Sequence, residues 1–130
     1  MNGKNIIILC LIIFSFMPPL VEAKTADEWN GEGFAFLQGG RYAEAIDAFE
    51  GVLKIDPYDA HAWNNKGVAL LYLGRYDEAI KAFDDSLKID PRNDKAWDNK
   101  GAALHGLRRN DEALQAYDMA LKIDSQDAED

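Results

Sequence analysis

One cysteine, Cys10, is all that the 130 residues contain. A single thiol builds no disulfide framework, no Cys-x-x-Cys pair and no thiolate metal site. Histidine is nearly as scarce, with His61 and His105 alone, and proline is confined to Pro18, Pro19, Pro57 and Pro91. Positive charge is also short, since 14 Lys and Arg stand against 23 Asp and Glu for a net charge of −9. So acidic a surface argues against nucleic acid or anionic lipid as a partner. The sequence has no phosphate-cradling glycine loop and no serine elbow. Its acidic runs at 90–94 and 124–130 lack the ligand spacing and glycine of a calcium loop. Asp84 and Asp85 adjoin only in sequence, because neighbours on a helix point about 100° apart. The two histidines fall at different places in the pattern described below and share no metal site. Without a constellation of reactive groups, the expectation is a chain that is not an enzyme and uses no cofactor and no metal.

Long apolar runs are equally few, and the one present lies at the start. Residues 1–5 carry Lys4, residues 6–17 are almost wholly apolar, Pro18 and Pro19 follow, and Val21-Glu22-Ala23 places small residues where a signal peptidase cuts. The segment reads as a secretory signal peptide over residues 1–23, cut between Ala23 and Lys24, and implies an exported protein. An uncleaved membrane anchor is the competing reading: the stretch to Val21 is about 16 residues, against the roughly 20 that a spanning helix needs. Lipid attachment at Cys10 is disfavoured because Ile8 and Leu9 are not small. Cleavage removes Lys4, Glu22 and Cys10, so the net charge stays at −9 and residues 24–130 must stand on packing alone.

What the sequence does have is one phrase used three times. Trp29, Trp63 and Trp97 are 34 residues apart, and in step with them run Gly33, Gly67, Gly101; Ala45, Ala79, Ala113; Phe49, Phe83, Tyr117; and Leu53, Leu87, Leu121. A fixed period of this length marks an array whose units each hide an apolar face against a neighbour. The repeats are 26–59, 60–93 and 94–127.

Within a unit the apolar residues fall in two bursts at helical spacing. In the second they are Trp63, Gly67, Leu70, Leu71 and Leu73, then Ala79, Ile80, Phe83, Leu87 and Ile89. Gly74 is placed to end the first helix in a left-handed conformation, and Asp77 and Glu78 suit the positive end of the second. Thr25, Asp59 and Asn93 stand in one phase before each first helix with a side-chain oxygen able to cap it, and Thr25 with Glu28 fits a capping box. Pro57 and Pro91 stop the second helices. The glycines at 33, 67 and 101 let the paired helices approach closely, with Phe49, Phe83 or Tyr117 filling the space beside them.

The set Trp63, Gly67, Leu70, Gly74, Tyr76, Ala79, Phe83, Leu87 and Pro91 resembles the tetratricopeptide repeat, and the likeness spans 26–127. The resemblance implies an all-α solenoid of six helices in three helix-turn-helix units, wound right-handed, whose first helices line a concave groove. It also implies a non-catalytic scaffold that binds a protein or peptide. The groove expected from the family comprises Asp27, Asn30, Phe34 and Gln38 from the first unit. The second adds His61, Asn64, Val68, Leu71 and Tyr72, and the third Lys95, Asp98, Ala102 and His105. Asparagine there suits an extended peptide backbone, and Phe34 and Tyr72 suit an apolar side chain. A subset of the family grips a chaperone's C-terminal carboxylate with a basic clamp. Asn65 and Lys95 match that clamp, but Asn30, Phe34 and Asn99 stand where Lys, Asn and Arg are needed, so the clamp is rejected.

Two departures from the family pattern carry expectations of their own. Glu32, Lys66 and Lys100 occupy a phase that is usually leucine; they are expected to lie along the surface, with Glu32 paired to Lys66. The third unit has Arg108 in place of the turn glycine, Asn110 in place of tyrosine and Ser125 in place of proline, and is expected to be the loosest. Leu114, Tyr117 and Leu121 are expected to lie partly open at its end. That opening makes homo-oligomerisation through the C-terminal repeat the alternative function.

Overall fold

The computed structural model describes residues 2–5 and 22–129. The apolar core of the expected leader, residues 6–21 with Cys10, lies outside the described residues. Among the described residues no helix is long and apolar enough to cross a membrane. From Ala26 onward the chain is six helices: α1 Ala26–Gln38, α2 Tyr42–Ile55, α3 Ala60–Tyr72, α4 Tyr76–Ile89, α5 Asp94–Gly106 and α6 Asn110–Glu129. Each packs on the next in sequence, and α3 also touches α5. The result is the all-α array of helix pairs that the period predicts.

The helix ends follow the local chemistry. The Thr25 hydroxyl accepts from the Glu28 amide while the Glu28 carboxylate accepts from the Thr25 amide, completing a capping box. Asp59 and Asn93 accept from Ala62 and Ala96, which satisfies first-turn amides that have no helical partner. The second helices begin differently, on Arg41, Arg75 and Arg109. Each arginine bonds the glutamate three residues on, Glu44, Glu78 or Glu112, and these hydrogen bonds hold the three carboxyls below their ordinary range. Gly40 and Gly74 take φ of 71° and 73°, and Arg108 is bent into the same turn at φ 60°. Asp56 and Asp90, just before the prolines, are extended and end α2 and α4. Ser125 imposes no such stop, and α6 runs on to Glu129, with Arg92 paired to Asp127.

The core is built on the phased residues. Ala45, Ile46, Phe49, Ala69, Leu70, Ala79, Ala82, Phe83 and Ala103 form one continuous cluster across the units. A Cβ added to Gly33, Gly67 or Gly101 meets the ring of Phe49, Phe83 or Tyr117 at 2.6, 2.5 or 2.7 Å, so each glycine is the seat of the aromatic named with it. Two further seats lie outside the repeated phase, at Gly51 beneath Trp29 and at Gly106 beneath Tyr76. Ser86, fully buried, donates from its hydroxyl to the Ala60 carbonyl at 2.7 Å. Leu73, expected in the apolar stripe of its unit, is instead the cap residue of α3 and is 42% exposed.

Candidate functional site

The expected groove residues of the first helices differ in their surroundings: some pack on the core, one pairs two helices, and the others are exposed or half-buried. Val68 and Leu71 are half-buried and pack on the central cluster. Asn64 is buried, and its side-chain oxygen accepts from Asn99 Nδ2 at 3.2 Å, tying α3 to α5. These three expected groove walls thus also take part in packing and helix pairing. A buried amide left without such a partner costs about 1–3 kcal/mol, which is why Asn64 and Asn99 turn to each other.

Phe34 and Tyr72 remain open, at 47% and 64% exposure. Phe34 leans edge-on against Phe49, with ring centroids 5.8 Å apart and planes at 84°. Tyr72 lies flat on Tyr42 of α2, centroids 5.0 Å apart and planes at 9°. Each aromatic is thus braced on one side and free on the other, a low-entropy platform for an apolar group. Around them Asp27, Gln38, His61, Lys95, Asp98 and His105 are exposed, and Asn30 and Ala102 are half-buried. His105 shares a hydrogen bond with Asn110 through Nδ1. The Asp98 carboxyl is pushed above its ordinary range, first by burial and then by the charges of Asp94 and Asp124.

The lysines that replace leucine do lie along the surface, over tryptophan. Lys66 and Lys100 stand 5.4 Å from the ring centres of Trp63 and Trp97. Their carboxylate partners differ from the expected Glu32, since Lys66 reaches Glu50 at 2.9 Å and Lys100 reaches Asp84 at 2.7 Å. Glu32 is paired with Lys24 at 2.7 Å, and that lysine covers Trp29. The partner lies on the preceding second helix because α2 and α4, and not the preceding first helices, are what α3 and α5 press against at this phase.

A cleft of about 1090 Å³ lies away from the expected groove. Trp97, Lys100 and Leu104 of α5 line it together with Ile80 of α4 and Met119 and Leu121 of α6, and none of the thirteen expected groove residues does. At the same end Leu114 and Leu121 are 62% and 65% exposed. The repeat predicts that these leucines lie open; the cleft is built by residues of three different helices and has no linear signature.

Two models of the tetratricopeptide repeat match the chain, over residues 25–92 and 64–128. None of the curated proteins matches it in sequence. Among solved structures, the TPR2B domain of yeast Sti1 in complex with pHsp70 is 27% identical with a TM-score of 0.76, the match covering 78% of this chain and 81% of that one. The second TPR domain of Spaghetti (RPAP3), bound to an HSP90 peptide, is 26% identical with a TM-score of 0.74, over 78% of this chain and 94% of that one. MamA shares the fold at 24% identity and a TM-score of 0.80, over 85% of this chain and 65% of that one. The three-unit helical array and the two family matches agree: the chain belongs to the tetratricopeptide repeat family, whose members are protein-interaction scaffolds.

Proposed function

We propose that the chain is an exported scaffold that holds a protein or peptide along the face of α1, α3 and α5, with Phe34 and Tyr72 as its apolar contacts. The observation that carries this reading is the pair of exposed aromatics, each braced by a second ring. An unoccupied surface helix gains nothing from large apolar groups in water, whereas a binding face does. The structural neighbours that hold chaperone peptides support a peptide-sized ligand. They do not extend to a carboxylate-terminated one, since Asn30, Phe34 and Asn99 stand where that clamp needs Lys, Asn and Arg. Asp27 and Asp98 set against Lys95 favour a ligand of mixed charge.

Export rests on residues 1–23, with retention as a membrane anchor the second outcome. Displayed-peptide selection against the secreted form of the chain, followed by titration, tests the whole reading. The recovered protein begins at Lys24, and Phe34→Ala and Tyr72→Ala each weaken a selected peptide by about tenfold, as loss of an aromatic anchor does. Affinity untouched in both variants removes this face from the reading, and a product that begins at Met1 removes cleavage.

A further inference from the structure

Each second helix carries an apolar residue, an aromatic, an acid and a leucine at i, i+3, i+4 and i+7: Ile46, Phe49, Glu50 and Leu53 in α2, then Ile80, Phe83, Asp84 and Leu87 in α4. The next unit's first helix answers with a fixed phrase, Ala62-Trp63 and Lys66 in α3, then Ala96-Trp97 and Lys100 in α5. Leu53 packs with Ala62 and Trp63, and Ile80 and Trp97 meet around Leu104. The lysine reaches back to the acid, to Glu50 in one junction and Asp84 in the other. In both junctions the alanine is fully buried.

In α6 the stripe is written a third time as Leu114, Tyr117, Asp118 and Leu121; Tyr117 is seated on Gly101 of its own unit, and no following first helix among the described residues answers Leu114, Asp118 and Leu121. The chain's own first helix does not fit. At the phases of Ala96 and Lys100, α1 has Glu28 and Glu32. Glu28 is engaged in the capping box and Glu32 in its pair with Lys24. A second copy stacked head to tail would press Glu32 on Asp118 and put a glutamate in the slot of a buried alanine, and both contacts are repulsive or costly.

We propose that this face of α6 docks a helix of a different protein, one bearing a small residue and an aromatic in succession and a lysine or arginine three residues after the aromatic. Asp98 adds a second point of recognition. It occupies the phase of Asn64, whose oxygen accepts from Asn99 of the following first helix, so an asparagine just before the incoming cation finds an acceptor waiting. The site is separate from the aromatic face of α1 and α3 and stands whether or not that face binds a peptide.

A blocked peptide of residues 94–106 carries the whole phrase and serves as the probe, titrated into the ¹⁵N-labelled full chain. Saturable shifts confined to α6 and the neighbourhood of Asp98 are expected. Asp118→Lys in the chain weakens binding by about tenfold or more, as an opposed like charge does. Lys100→Glu in the peptide restores it on that variant, an exchange that a merely misfolded surface would not allow. Phe34→Ala leaves this binding unchanged. Absence of saturable shifts, shifts centred on α4, or indifference to Asp118→Lys overturns the proposal. So does equal binding by the peptide of residues 26–38, which would mean that copies of the chain stack on one another.

Discussion

Gly67 and Gly31 both lie within first helices, and a methyl group added to each meets different surroundings. At Gly67 it comes 2.5 Å from the ring of Phe83, a side chain with no exposure and therefore no room to yield. At Gly31 it meets nothing within 4 Å. Helix propensity alone makes glycine to alanine favourable by roughly 0.5–1 kcal/mol; overpacking a filled core costs about 1–3 kcal/mol. Gly31→Ala is therefore expected to raise stability and Gly67→Ala to lower it, with opposite displacements of the urea midpoint at constant slope. Equal midpoints for the two variants would mean that Phe83 is not seated on Gly67. The repeat made this seat legible in advance, because Gly33, Gly67 and Gly101 keep step with Phe49, Phe83 and Tyr117. It could not reveal Gly51 beneath Trp29 or Gly106 beneath Tyr76. Those glycines occur once, at phases filled elsewhere by Asp85 and Met119 or by Gln38 and Tyr72, and only the crossing of the helices explains them.

At the scale of the element, α5 carries the clearest electrostatic tension. Asp98, though largely exposed, is partly desolvated and faces the charges of Asp94 and Asp124, so its carboxyl is raised above the ordinary range. A raised acid pKa in the folded state means that the protonated form fits the fold better. Its contribution is present at acid pH, below the unfolded value of about 3.9, and is lost as pH rises through the folded value. Asp98→Asn is then expected to raise the melting temperature at pH 7. The gain stays below about 1 kcal/mol, since the group is largely exposed and screened, and it shrinks toward zero as the buffer is taken down through pH 4. Thermal melts across that range decide the matter: a gain independent of pH would assign the effect to hydrogen bonding. Elements themselves were the most legible level, since caps, turn glycines and prolines mark nearly every boundary between Thr25 and Asp94. Side-chain partners were less so. The period pairs Lys66 with Glu32 by phase, yet its partner Glu50 sits on a helix of the other kind, where the angle of stacking and not the period decides who is near. The contacts that Asn64 makes with Asn99, and Val68 and Leu71 with the central cluster, are set by neighbouring helices in the same way.

Across the whole molecule the three units are alike in design and unequal in support. In an array of this kind stability is close to a sum of unit terms and nearest-neighbour interfaces. The middle unit has two interfaces and the outer ones a single interface each. The first unit keeps Gly40 in its turn, a complete capping box and the Lys24–Glu32 pair over Trp29. In the third, Arg108 is held at φ 60°, a conformation that costs a side-chain-bearing residue roughly 1–2 kcal/mol. Leu114 and Leu121 stay in water, and the end of α6 is held by the exposed pair of Arg92 and Asp127, worth about 0–1 kcal/mol. Native-state hydrogen exchange is therefore expected to show α6 opening at a lower free energy than α3 and α4, with α1 and α2 between them. Arg108→Gly relieves the strained turn and is expected to raise protection in α6 by about 1 kcal/mol, net of the freedom glycine adds to the unfolded chain. Since α6 carries the stripe of Leu114, Asp118 and Leu121, a helix docked there would protect the same amides. Uniform protection from α1 to α6, unmoved by Arg108→Gly, would mean that the array opens as one unit and that its last repeat is no weaker than the rest.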